Sequence, residues 1–302
     1  AAPRARSQAA EPDRSCQCAR LDRDHPAGWL YFLLIAGNPT PPLSFDRQAV
    51  PCWLLRIMRL RSATDSPPVT HSTPPDTRIY AIGDIHGRAD LLGETMERID
   101  EDLWRRPTPY AVEIYLGDYI DRGPDSKGAI DLLTARLVRN NAVCLRGNHE
   151  DLMERFLHDP VILSAWLKLG ALQTLASYGV SPRPDGMETN NDLHERFCQA
   201  LPRTHALFLK CLKPWICCGD YLFVHAGIRP NVRLDQQNMG DLLWIRDEFL
   251  NSTHDHGKFV VHGHTPVPHP DLRRNRINID TGAWRSGILT CVILEGTSIQ
   301  FL

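Results

Sequence analysis

Five short apolar runs each end in a tight turn carrying acids, histidines or an asparagine, and this recurrence constrains the chain more than any other feature. The runs are Arg78 to Gly83 before Asp84-Ile85-His86-Gly87, Ala111 to Leu116 before Gly117-Asp118-Tyr119-Ile120-Asp121-Arg122-Gly123, and Ala142 to Arg146 before Gly147-Asn148-His149-Glu150. Further on are Tyr221 to Val224 before His225-Ala226-Gly227, and Phe259 to His262 before Gly263-His264-Thr265. Short apolar runs bounded by glycine read as buried strands. Open α/β sheets place their ligand chemistry at the carboxyl ends of such strands. Aspartate, asparagine and histidine are oxygen and nitrogen donors suited to borderline divalent metals such as Mn, Fe or Zn. One such turn alone reads equally well as a solvated surface loop; five in order do not.

The segments between the runs are helical. Leu91, Leu92, Met96, Ile99 and Leu103 recur at helical spacing, as do Ile130, Leu132, Leu133 and Leu137. This gives a β-α-β-α-β unit with right-handed crossovers between parallel strands. The stretch between Asn148 and His225 is far longer than a sheet connection needs, and its pattern is helical. It predicts a helical cap over about 151–214, set over the strand ends. Strands are expected again at 215–224, 258–262, 276–280, 287–294 and 298–302, forming a mixed second sheet after a parallel first one.

Composition narrows the partners. With 34 Lys+Arg against 36 Asp+Glu in 302 residues there is no basic stripe for nucleic acid and no electrostatic case for a membrane surface. Nine cysteines, an odd number without metal-finger spacing, fit a reducing cytoplasm better than a disulfide framework. Residues 1–77 differ from the rest: rich in Ala, Arg, Pro and Ser, they show no sustained period. Their one apolar run, Trp29 to Ala36, is far shorter than the ~20 residues a membrane span needs. The first methionine is Met58, so 1–77 is expected to be a disordered leader or a gene-model extension, with native translation starting at or near Met58.

On the five motifs the chain resembles metallophosphoesterases of the phosphoprotein phosphatase (PPP) superfamily, in its bacterial branch, over residues 78–302. The resemblance implies an α/β fold: a four-layer β-sandwich flanked by helices, with the helical cap as an insertion. It also implies two divalent metal ions, with Mn expected and Fe or Zn open. Asp84 and His86 would hold the first, Asn148, His225 and His264 the second, and Asp118 would bridge them. A hydroxide shared by two such metals attacks phosphorus in line. His149 would protonate the leaving oxygen, supported by Asp121. As a neighbour of Asn148 on an extended strand end, it should point away from the metals. Arg122 would bind the phosphoryl oxygens, with Arg246 as the second phosphate arginine and Arg285 and Arg146 behind it; the other reading of Arg246 is a pairing with Asp247 or Asp241. His262 lies on the same strand face as His264, and the Gly-His-Thr pattern selects His264 as ligand. Asp280 either orients a ligand histidine or is a plain turn residue.

The function expected is phosphomonoester hydrolysis on phosphoserine or phosphothreonine in proteins, with a phosphoprotein or phosphopeptide as partner. The alternative is a dinucleoside polyphosphate (diadenosine tetraphosphate) hydrolase sharing the same metal site. Lys168, Arg183, Arg196, Arg203, Lys210 and Lys213 are scattered along the cap without a cluster for a polyphosphate chain. On that ground the phosphopeptide is expected to be the better substrate.

Overall fold

Alternation along the strands decides how the layers stack. In β1 (Thr77–Ile82), Ile79 and Ala81 join one buried cluster and Tyr80 and Ile82 another, so both faces of the strand are covered. The computed structural model describes residues 70–184 and 187–302. The expected leader and its start at Met58 therefore lie, up to residue 69, outside the described residues.

After β1 come α1 (Ala89–Arg105), β2 (Tyr110–Tyr115), α2 (Ser126–Arg139) and β3 (Ala142–Cys144). The three strands are parallel, with Ile79 opposite Val112 and Ile114 opposite Val143. Helices α3 (Asn148–Phe156), α4 (Leu163–Trp166), α5 (Ala171–Ser177), α6 (Asn190–Ala200) and α7 (Arg203–Cys211) follow. The remaining strands are β4 (Trp215–Cys218), β5 (Tyr221–Val224), β6 (Phe259–His262), β7 (Asp271–Leu272), β8 (Arg276–Asn278), β9 (Cys291–Glu295) and β10 (Ser298–Phe301). Short helices α8 (Met239–Trp244) and α9 (Asp247–Leu250) precede β6, and α10 (Ala283–Ser286) precedes β9.

Two five-stranded sheets result, ordered β10-β9-β1-β2-β3 and β4-β5-β6-β8-β7. Ile79, Ala81, Val112 and Ile114 from one meet Phe223, Val261 and Ile277 from the other in the core between them. On the far side of the first sheet, Tyr80 and Ile82 pack with Leu92, Ile130, Phe156 and Trp166 from the helices. On the far side of the second, Leu222, Val224 and Val260 pack with Leu242 and Phe249 of α8 and α9. The molecule is thus helix, sheet, sheet, helix: the α/β sandwich expected. The helices between β3 and β4 join α1 and α2 in one core, centred on the rings of Phe156, Trp166 and Phe197 at 5.3–5.8 Å spacing. Each of those rings is fully buried, contributing about 2–3 kcal/mol of hydrophobic free energy.

Two strand expectations are corrected. The last two strands do not extend the second sheet. β9 runs antiparallel beside β1, with Ile79 opposite Leu294, and makes the first sheet mixed. Its run Cys291 to Leu294 is buried, which an inner strand covered on both faces requires. The stretch 215–224 is a hairpin rather than one strand, because Gly219 turns at φ 59° and folds β5 back on β4. Cys144, Cys218 and Cys291 are buried thiols, whereas Cys198 and Cys211 are exposed. Among the described residues no helix is long and apolar enough to cross a membrane.

Candidate metal centre

The carboxyl ends of β1, β2, β3, β5, β6 and β8 converge, and the turns that leave them are unusually strained. Among the described residues seven non-glycines have positive φ, and five of them stand in these turns: His86, Asp118, Asp121, Arg122 and His264. Left-handed backbone at non-glycine residues costs on the order of 1–3 kcal/mol each and persists where the surroundings enforce it. Here backbone packing enforces it. A Cβ on Gly123 would collide with the carbonyl of His86, and one on Gly147 with the backbone and carboxylate of Asp118. Glu150 fastens the same turns together, its carboxylate accepting from the backbone N–H of Gly147, Asp118 and Tyr119 at 2.8–3.0 Å.

Asp118 lies at the centre. One set of donor atoms is formed by His86, Asp118 and His149, and a second by Asp118, His225 and His264; within each, all ligand atoms lie within 4.8 Å. The Asp118 Oδ2 is 3.6 Å from Nε2 of both His86 and His149, and Oδ1 is 3.3 Å from His225 Nε2. Asn148 Oδ1 lies 3.0 Å from both His225 Nε2 and His264 Nδ1. Asp84 adjoins this group through the His264 N–H, which donates to its carboxylate at 3.0 and 3.3 Å, but it belongs to neither set.

The proton count explains why this is a cation site. His86 donates its Nδ1 proton to Ile120 O and His225 donates its own to Leu116 O, both at 2.9 Å. Both therefore turn an Nε2 lone pair inward: that of His86 accepts from Arg122, and that of His225 faces Asn148 Oδ1 and the Asp118 carboxylate. Around His225 these acceptors stand about 3 Å apart, an arrangement that a cation between them would relieve. Burial pushes His86, His225 and His264 below the ordinary imidazole range, which keeps their lone pairs available. Burial opposes the charge on Asp118 too, yet the surrounding histidines, His149 foremost, hold it below the usual carboxylate range. Asp84 is pushed well up by burial and by the neighbouring carboxylates of Asp280 and Asp118. The donor set fits divalent metal ions.

His149 departs from the expectation in one respect. Asn148 and His149 open α3 instead of ending a strand, since β3 stops at Cys144. The strand alternation does not apply, and both side chains face the site. His149 Nδ1 is 2.6 Å from Asp121, as expected. Asp121 also accepts from Trp166 Nε1 at 2.7 Å and from Thr174 Oγ1. These two supports come from α4 and α5, and no local sequence signal ties them to Asp121. Burial works against a charge on His149, but Asp118 and Asp121 outweigh it and the net shift is upward.

The arginines divide clearly. Arg122 donates to His86 Nε2 at 2.9 Å and to His149 Nε2 at 3.3 Å, while its Cζ sits 5.6 Å above the Trp284 ring. Arg246 is exposed and, among the described residues, its side chain makes no hydrogen bond or ion pair; Asp241 is held instead by Arg229 at 2.6 and 2.8 Å. The Arg246 charge helps depress both His225 and His264. Arg146 is tied to Glu154 and to Leu209 O. His262 belongs to the layer outside the second sheet, edge to face with Phe249 at 5.0 Å and 3.4 Å from Arg276, and joins neither donor set. Asp280 accepts from the Gly282 N–H at 2.9 Å, bonds no histidine, and leaves Oδ2 buried without a partner; burial pushes it up to about 6.

Acids and histidines at the strand ends of such a sandwich define a phosphoesterase class: the chain belongs to the calcineurin-like phosphoesterase family, whose model matches residues 77–285. It is similar to the asymmetrical bis(5'-nucleosyl)-tetraphosphatase PrpE of Oceanobacillus iheyensis, 28% identical over 223 residues, covering 68% of this chain and 84% of the relative. The protein of the same name from Halalkalibacterium halodurans is 25% identical over 239 residues, covering 73% and 91%. Among solved structures, that of a candidate diadenosine tetraphosphatase superposes with a TM-score of 0.51 at 20% identity, covering 78% of this chain and 95% of that one, a likeness of fold.

Proposed function

We propose that this metal-dependent phosphoesterase hydrolyses a dinucleoside tetraphosphate, cutting the phosphate chain unequally. The observation that carries this reading is the similarity to asymmetrical tetraphosphatases over most of their length. It favours the alternative of the sequence reading over the phosphoprotein. The sequence argument against a polyphosphate looked for cations in the cap helices. The arginines without carboxylate partners beside the donor set, Arg122 and Arg246, come from the strand-end loops instead.

In this reading Asp84, His86, Asp118, Asn148, His225 and His264 hold two divalent cations, Mn being the first choice. Such ions supply Lewis acidity and lower the pKa of water towards ~7. Arg122 and Arg246 hold the phosphoryl oxygens of the group under attack. His149 has its Nδ1 proton committed to Asp121, so Nε2 is the atom that can deliver a proton to the leaving oxygen. That Nε2 accepts from Arg122 and so carries no proton as it stands; a phosphoryl group that draws Arg122 away frees it to take one from solvent, which the carboxylates of Asp118 and Asp121 favour. Trp166 and Thr174 keep Asp121 in place and with it the imidazole plane. A departing nucleoside triphosphate is a far better leaving group than a serine alkoxide, so this proton matters less on the dinucleotide.

The test compares diadenosine tetraphosphate with a phosphothreonine peptide on one Mn²⁺-loaded preparation. The expected result is a higher kcat/KM for the dinucleotide, with ATP and AMP as products. ADP as the sole product would mean symmetric cutting, and preference for the peptide would return the function to protein phosphatase.

A further inference from the structure

A tetraphosphate chain presents several anions in a row, and the group under attack occupies only one end of it. Resting on the dinucleotide reading, the question is what holds the phosphates beyond. Many of the arginines pair with acids: Arg78 with Asp102 and Glu295, Arg88 with Asp90, Arg136 with Asp100 and Glu113, Arg229 with Asp241 and Glu248. Arg285 does not. It is exposed on α10, its side chain makes no hydrogen bond or ion pair among the described residues, and its Cζ lies 5.9 Å from the Trp284 ring. The same ring carries Arg122 at 5.6 Å. Two guanidinium groups thus share one indole, and one of them already reaches His86 and His149. Like charges gathered this way repel unless an anion answers both, and the indole offsets part of that cost through its π face.

The platform itself is fixed. Arg88 donates to Ala283 O at 3.0 Å, and Gly282 and Gly287, both at left-handed φ, close α10 at either end. Trp284 keeps 38% of its surface exposed, so the seat opens to solvent.

We infer that Arg285, seated on Trp284 beside Arg122, binds the phosphates of the chain beyond the one being cleaved. The substrate class this subsite selects is an extended polyphosphate rather than a phosphomonoester.

The test is calorimetric titration of the full-length, Mn²⁺-loaded protein in excess Mn²⁺ with inorganic tripolyphosphate and, separately, with orthophosphate. Arg285→Ala should weaken tripolyphosphate roughly tenfold, the scale of one charge-assisted contact, and weaken orthophosphate by much less. Trp284→Leu, which leaves the charge and removes its seat, should fall between wild type and Arg285→Ala for tripolyphosphate; binding as tight as wild type would take the ring out of the assignment. Equal weakening of both anions by Arg285→Ala would place Arg285 on the reacting phosphate, and no change would remove it from the site; either overturns the inference. Because binding is read without turnover, the result stands whichever substrate the enzyme prefers. Failure of the dinucleotide reading shows separately in the peptide comparison.

Discussion

The two ends of β1 treat charge in opposite ways. At its start, Arg78 is only 4% exposed, and every direction of its guanidinium is answered. Glu295 accepts twice at 3.0 Å, Asp102 at 3.2 Å and Arg106 O at 2.6 Å, while Tyr80 OH bridges to Asp102 at 2.6 Å. Just past its finish, Asp84 is buried near Asp280 and Asp118, and among the described residues no arginine or lysine forms an ion pair with any of the three. One end spends its charges on holding the sheet to α1. The other gathers three buried carboxylates among the imidazoles, with Arg122 reaching only His86 and His149, and the strained turns keep them there. Stability and chemistry are thus separated along six residues of one strand.

That contrast can be broken from either end. The largest effect is expected from Asp118→Asn. This carboxylate is common to both donor sets, and losing it should lower kcat/KM by roughly 10³-fold or more, with metal content by elemental analysis falling in parallel. Arg78→Ala, at the opposite end, should cost about 1–3 kcal/mol in urea unfolding, since Glu295 is partly exposed and Asp102 keeps Arg106 and Tyr80. Its kcat/KM per folded molecule should match wild type; a large loss of turnover would show that the two ends are not independent.

The subtler test is Asp84→Asn. Removing one of several buried like charges should stabilise the metal-free protein by about 1–2 kcal/mol while abolishing the response to Mn²⁺, read as melting temperature with chelator and with metal. Destabilisation in chelator would mean that Asp84 is already compensated by the protein. Asp102→Asn gives the smallest change, about 1 kcal/mol at pH 7 because solvent screens the pair. Burial opposes ionisation of Asp102, but Tyr80, Arg106 and Arg78 outweigh it and its folded-state pKa lies below the ordinary 3.8. Its contribution is therefore complete above about pH 4 and fades as pH falls through the lower folded value, so wild type and variant should converge in acid.

What was legible in the sequence follows the same division. Asp84, Asp118, Asn148, His225 and His264 could be placed because each sits in a turn that directly follows an apolar run, and strand, turn and donor are all local signals. Partners distant in sequence were not legible. Nothing in Trp166 or Thr174 announces a bond to Asp121, and nothing in Cys291 to Glu295 says which sheet will take it. Periodicity reports that a segment has two faces, not which neighbour it pairs with. The orientation of His149 was misjudged for a local reason: a three-residue β3 gives way to a helix before the donors arrive. Arg285 was ranked low because sequence spacing cannot show that Trp284 and Arg122 share its position.

The return of β9 to the first sheet has a consequence in time. A ribosome releases β1 early, and β2 can join it soon afterwards through α1. The other flank of β1 stays open until Cys291 to Glu295 has been made, with Ile82 facing Cys291 and Arg78 facing Glu295. Throughout that interval Arg78 lacks Glu295, and the strand that leads into Asp84 and His86 has one bare edge. The metal turns of β1 and β2 are thus synthesised long before the strand that anchors them, and the nascent chain must carry an unfinished edge through the making of the second sheet.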